Sequence, residues 1–242
     1  MGRKKYELSP REENVREVHP VVSSPLHFSL DEIKQHFDDN LNELIKQFDL
    51  AESLEKNGDT SGCKGIWRSQ VVFAEGLMDF YIHEISKYCL YRMFAGLTGK
   101  TEKYASIRIP LQEVESAFSA NTLDEKCDWF FKYINKHICR DVYLAAEVMQ
   151  DQLNLIGIPF RDVMAIAFPL EDQNQIVKNG REIVSKMFSR RNKIAHQNDR
   201  SHATVEQTDI TRQYVEDYIN NVKKIVNAIH QIAMSKESDS TS

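Results

Sequence analysis

The chain has 242 residues and a mass of 28.1 kDa, enough for one large domain or two small ones around a sizeable core. Hydrophobic residues at 41% and charged residues at 28% exclude wholesale disorder, and nine Gly with six Pro are too few for a loop-rich β-sandwich or barrel. Lys and Arg number 31 against 36 Asp and Glu, a net charge of −5, which argues against a uniformly basic nucleic-acid binder and leaves local patches open. The first residues, Met1–Asn14, are charged and lack the apolar stretch of a secretory signal. The longest apolar run, about Val163–Leu170, falls far short of the roughly 20 residues that span a bilayer. Cys63, Cys89, Cys127 and Cys139 form no CxxC pair, which excludes a zinc ribbon or a thioredoxin-type site. The expectation is a reduced, cytoplasmic protein with its thiols as small core residues and no membrane association.

Residues 1–26 mix charges with Pro10, Pro20 and Pro25 and show no period, as a flexible N-terminal arm does. Ser29-Leu-Asp-Glu is a capping box, and Ile33, Phe37, Leu41, Leu44 and Phe48 recur at helical steps until Asn57-Gly58. A second helix is predicted from about Ile66 to Ala95, apolar on most of its circumference and therefore central and well buried. Residues 96–109 read as a connector with a small excursion, and Pro110 suits the first turn of a short helix to Ala120. Thr122-Leu-Asp-Glu opens a helix to about His137, and a further helix continues to Leu155, where Gly157 and Pro159 stop it. Arg161–Phe168 is a short helix, followed by two long ones, about Gln173–Gln197 and Thr208–Met234. No alternating strand pattern appears. The expected architecture is all-α, a single helical-bundle domain over residues 27–235, with 236–242 as a disordered tail.

One segment carries chemistry. Between Lys178 and Arg200 seven basic residues (Lys178, Arg181, Lys186, Arg190, Arg191, Lys193, Arg200) face only Glu182 and Asp199, a local cationic patch suited to phosphate. At about 100° per residue from Ile183, Met187 falls near 40°, Ile194 near 20°, Val184 near 100° and Phe188 near 140°, an apolar arc for the core or a partner. Arg191 lands near 80°, in the middle of that arc, where an arginine is either ion-paired or presented into a partly dry site. His196 and Asn192 sit one turn apart on its flank. On the second helix Glu75 and Asp79 are also one turn apart, and either carboxylate can orient Arg191, with Asp79 preferred. The remaining histidines, His19, His27, His137 and His202, show no partner pattern and no metal-ligand spacing. There is no nucleophile elbow and no Gly-rich phosphate loop. The Tyr88/Tyr91/Phe94 and Trp129/Phe130/Phe131/Tyr133 aromatics read as core or dimer interface.

Arg191-Asn192-Lys193-Ile194-Ala195-His196 resembles the Arg-(four to six residues)-His signature of HEPN domains, with Asn the common polar choice after the Arg. The run Arg68-Ser-Gln-Val-Val-Phe-Ala-Glu-Gly-Leu-Met-Asp79 resembles the early helix of the RiboL-PSP-HEPN branch, its acidic residue matched by Asp79. The resemblance spans about residues 30–235. It implies a dimeric helical fold and metal-independent RNA cleavage without a cofactor, in a cleft that receives Arg and His from both protomers. Arg191 would stabilise charge on the scissile phosphate and His196 would be the general acid or base at the ribose 2′-hydroxyl and the 5′-oxygen. Asn192 would position the phosphate or the imidazole, and Asp79 or Glu75, with Arg190, would support them. Lys186, Lys193 and Arg200 would contact RNA. The resemblance implies an endoribonuclease leaving a 2′,3′-cyclic phosphate and a 5′-hydroxyl, a toxin or antiviral defence effector acting on tRNA or other structured RNA, with an antitoxin or defence-system partner. The alternative is a catalytically inactive HEPN dimer that binds RNA or nucleotides. Five residues separate Arg191 and His196 by about 140° on one helix, so a second protomer helps them converge, and the dimer is expected on the final helices. A subset of the family carries a Tyr two places after the His for nucleotidylation by an antitoxin; Asn198 stands there in this chain.

Overall fold

The computed structural model describes residues 27–138, 141–170, 172–201 and 205–239; the expected arm at 1–26, Cys139, His202 and the last residues, 240–242, lie outside them. Regular structure among the described residues is helical: α1 (Leu30–Lys56), α2 (Thr60–Phe94), α3 (Glu102–Ala105), α4 (Leu111–Ala117), α5 (Leu123–Ile138), α6 (Ala146–Leu155), α7 (Phe160–Ala167), α8 (Ile176–Gln197) and α9 (Arg212–Asp239). The chain is thus all-α, as its periodicity predicts. No helix in these residues is long and apolar enough to cross a membrane.

The local signals act as read. Ser29 and Glu32 form the reciprocal capping box of α1, and Asn57 closes that helix ahead of Gly58, whose φ of 83° suits a residue without Cβ. Asp59 accepts the Gly62 N–H at 2.8 Å and starts α2 six residues earlier than the apolar period alone indicates. Thr122 and Glu125 exchange the same pair of bonds at the start of α5.

The two helices read between Thr122 and Leu155 are α5 and α6, with a non-helical 141–145 between them: the Asp79 carboxylate accepts the Tyr143 N–H at 2.9 Å, and Tyr143 and Leu144 bury their side chains there. One expectation changes. The C-terminal tail placed at Lys236 is still helix to Asp239. Lys236 donates to the Gly157 carbonyl, and Glu237 accepts from the Tyr88 hydroxyl and, at 3.1 Å, from Arg92.

The centre of the bundle is α2, with α1, α5, α8 and α9 packed around it. Its residues Tyr81–Lys87 are buried on every side, as an apolar circumference implies. The Phe94–Phe130 rings stack at 4.2 Å and the Tyr91–Phe131 rings meet edge-on at 5.9 Å, so these aromatics join α2 to α5 within the protomer. The amino-terminal part of α2 departs from the sequence reading: Phe73 is 59% and Phe80 50% exposed. Gly65 and Gly76 are exposed on the same helix, and a Cβ at either would meet nothing within 4 Å. Each costs about 1 kcal/mol relative to Ala in a helix interior, and nothing in the protomer requires the small residue. Gly180 is the opposite case. A Cβ there would sit 2.4 Å from Met164 Cγ and 3.0 Å from its Cβ, so α8 lies directly against α7.

Gly180→Ala should therefore lower stability by about 1–3 kcal/mol through overpacking, read as a fall in thermal midpoint; an unchanged midpoint would show that Met164 can swing clear.

Candidate active site

The apolar arc of α8 is spent inside the protomer. Val184, Met187 and Ile194 are buried in the common core, as are Val215, Tyr218, Ile219 and Val222 on α9. What α9 turns outward is polar, including Asp217, Asn220, Lys223, Lys224 and Asn227. The final helices therefore offer no apolar partner surface of their own.

Arg191 lies within that arc with its side chain 25% exposed. Its Nε lies 3.9 Å from Glu75 Oε2, and its Nη1 donates to the Asn192 amide oxygen at 3.0 Å. The supporting carboxylate is Glu75 and not the preferred Asp79. Asp79 is bound to the Tyr143 N–H and lies 3.5 Å from His83 Nε2, around the helix from Arg191. Glu75 is 0% exposed, and neither of its oxygens has a hydrogen-bond partner among the described residues; the same is true of Arg191 Nε. Burial raises the Glu75 carboxyl from its ordinary 4.5 to about 7, with the nearby Tyr218 hydroxyl and Arg191 opposing the rise and Asp79 adding to it. The Tyr218 hydroxyl itself donates to the Met187 carbonyl at 3.2 Å. Asn192 is half-buried, and His196, one turn later, is exposed with no hydrogen bond or ion pair among the described residues.

The residues that hold the end of α8 include one the sequence reading did not single out. Asp199 is 0% exposed and pairs with Arg190 Nη2 at 2.7 Å and Arg68 Nε at 3.2 Å. Arg68 also donates to the Thr208 carbonyl at 2.9 Å, Arg190 to the Asp209 carbonyl at 3.0 Å, and the Arg190 guanidinium lies 5.5 Å from the centre of the Tyr214 ring. Arg190 thus holds structure beside Arg191. A lone acid in a basic run was the available signal, but spacing alone cannot tell a buried counter-ion from a solvated one. Asn198 and Asp199 take φ of 49° and 60°, the left-handed region that Asn and Asp tolerate best, to reverse the chain after α8. A bulky Tyr at 198 would meet that constraint.

Of the three predicted RNA contacts, Lys186 and Arg200 are exposed, with Arg200 donating to the Val205 carbonyl, and Lys193 is tied to Thr208 Oγ1 at 2.7 Å. No group of three or more His, Cys, Asp or Glu among the described residues is arranged to hold a metal ion. An open groove of about 460 Å³ between α2 and the end of α8 is lined by Gly65, Ser69, Phe73, Ala195, Asn198 and Arg200, among others.

Two outcomes are expected. Because Glu75 binds a proton more tightly folded than unfolded, it weakens the fold as pH rises from 4.5 through 7. The unfolding free-energy difference between Glu75→Gln and the unmodified chain, read by denaturant titration, should shift in favour of the variant by up to about 3 kcal/mol between pH 5 and 8; a flat difference would remove the raised carboxyl. Asp199→Ala strands two guanidinium groups and should cost about 3–5 kcal/mol by denaturant titration, where an exposed pair would cost under 1 kcal/mol.

The sequence model of the RiboL-PSP-HEPN family matches residues 35–235. No curated protein and no solved structure matches the chain. The matched span runs from the first turns of α1 into the last turns of α9 and includes Glu75, Asp79 and the whole of Arg191–His196. The chain belongs to the RiboL-PSP-HEPN family of the HEPN superfamily.

Proposed function

We propose that the protein is a metal-independent endoribonuclease, with Arg191, Asn192 and His196 as its catalytic residues. The observation that carries this reading is the state of Arg191: a guanidinium in an apolar arc, backed by a fully buried carboxyl and hydrogen-bonded to Asn192, yet partly open to solvent. An arginine serving only the fold would be expected to spend its donors inside, as Arg68 does on Asp199 and two carbonyls. Glu75 orients Arg191 from behind and leaves the outer guanidinium nitrogens for phosphate oxygens. His196, exposed one turn beyond Asn192, removes the proton from a ribose 2′-hydroxyl. The 2′-oxygen bonds to phosphorus as the bond to the 5′-oxygen breaks, and that oxygen takes up a proton. The products are a 2′,3′-cyclic phosphate and a 5′-hydroxyl. Lys186 and Arg200 supply exposed charge for the RNA backbone. Such an activity fits a toxin or defence effector acting on tRNA or other structured RNA, in the cytoplasm and under the control of a partner protein.

The test is single-turnover cleavage of total RNA with and without EDTA, beside filter binding, for the unmodified chain and three variants. Cleavage should survive chelation. His196→Ala should lose 10²–10⁴-fold in rate at nearly unchanged affinity, while Arg191→Ala should lose both. Arg191→Lys should also fail to cut, since an ammonium lacks the planar fork. Activity that depends on added Mg²⁺, or full cleavage by His196→Ala, would sink the mechanism. Equal loss of binding and cutting in all three variants would favour a non-catalytic RNA-binding module.

A further inference from the structure

The exposed stripe of α2 consists of Ser61, Gly65, Ser69, Phe73, Gly76 and Phe80, spaced at three or four residues over five turns, and it contains no charge. A solvated helix face in a chain with 28% charged residues would be expected to carry Lys and Glu. Two phenylalanines half or more exposed, and two helix-interior glycines with empty space above them, have no role in the protomer. Both are accounted for if another helix lies close along this face.

The order of sizes says which helix. About a point between Ala74 and Glu75 the stripe is its own complement: Phe73 is matched with Gly76, Phe80 with Ser69, and Val72 with Leu77. A two-fold axis through that point makes every such match twice, because an isologous interface pairs i with j and j with i. We propose that α2 is the dimerisation helix of this protein, crossing α2 of a second copy in antiparallel fashion with each Phe73 seated over the partner's Gly76. In this register Phe80 of the partner subunit falls over Ser69 and Gly65 and enters the groove that Ala195 and Asn198 also line. An uncharged stripe brings no like charges together, whereas the basic outer face of α8 against its copy would do so.

This deepens the two-protomer reading of the active site and rests on that reading only for its consequence. Ala195 is one turn beyond Arg191 and lines the groove, so the second copy lies against the end of α8 that carries the signature. Glu75 stands half a residue from the axis, and with two α2 helices about 8–10 Å apart both Arg191–Glu75 pairs flank it. The Arg and His that diverge on one helix then have counterparts from the other protomer.

Light scattering at micromolar concentration should give about twice 28.1 kDa for the unmodified chain. Phe73→Glu and Gly76→Phe should each shift the mass to one chain, while Phe73→Ala with Gly76→Phe, which exchanges large for small within the same match, should return the dimer. Circular dichroism should find all three as helical as the unmodified chain, since both positions are open in the protomer. A monomeric unmodified chain, or single variants as dimeric as it is, overturns the proposal. A monomer whose RNA affinity falls on Phe73→Ala would instead make the stripe a base-stacking face. Mass reads the surface and cleavage reads the chemistry, so either can fail without the other.

Discussion

A single buried carboxylate, Asp199, decides where the carboxyl end of α8 lies. It takes one guanidinium from α2 and one from α8, at 3.2 and 2.7 Å, in a position with no access to water. A charge so placed is tolerable only while both partners stay, so the two helix segments and the reversed chain at Asn198–Asp199 are held as one unit. Arg191 follows Arg190 directly, about 100° further around the helix. The ion pair that anchors the backbone thereby also sets the direction in which Arg191 points.

Against that rigid unit the Glu75–Arg191 contact is loose. At 3.9 Å it attracts without a hydrogen bond, and burial pushes the carboxyl up to about 7. In the proposed mechanism the arginine is steered rather than consumed, as a group that rearranges around a transferring phosphate requires. Two acidic residues thus divide the work: Asp199 gives up all freedom to fix α8, and Glu75 keeps Arg191 oriented with its outer nitrogens available. The protomer still presents Arg191 and His196 on diverging faces, and the bare stripe on α2 is the surface on which the proposed second copy would complete the cleft.

Much of this was legible in the chain alone. Capping at Ser29 and Thr122, the apolar arcs of α1 and α8 and the stop at Asn57-Gly58 are local matters, decided within a few residues by hydrogen bonding and helical period. The oddity of Arg191 was legible too, because a wheel shows a charge inside an apolar arc whatever packs against it. The resemblance to the family begins at the same residues, and the match over 35–235 makes it membership. What a period cannot report is the crossing of two helices. Glu75 and Asp79 lie one turn apart, and only the line along which α8 meets α2 puts the first beside Arg191 and sends the second to Tyr143. Asp199 reads as one acid among basic residues until the fold closes over it. The largely apolar circumference of α2 reads as well buried, yet composition cannot say that the protomer runs out of helices to cover Phe73 and Phe80. Sequence determined which segments are helical and which arginine stands inside an apolar arc, because those depend on neighbours in the chain. Tertiary structure alone decided which carboxylate serves Arg191, which one anchors α8 and which face of α2 is left uncovered, because each depends on how separate helices meet.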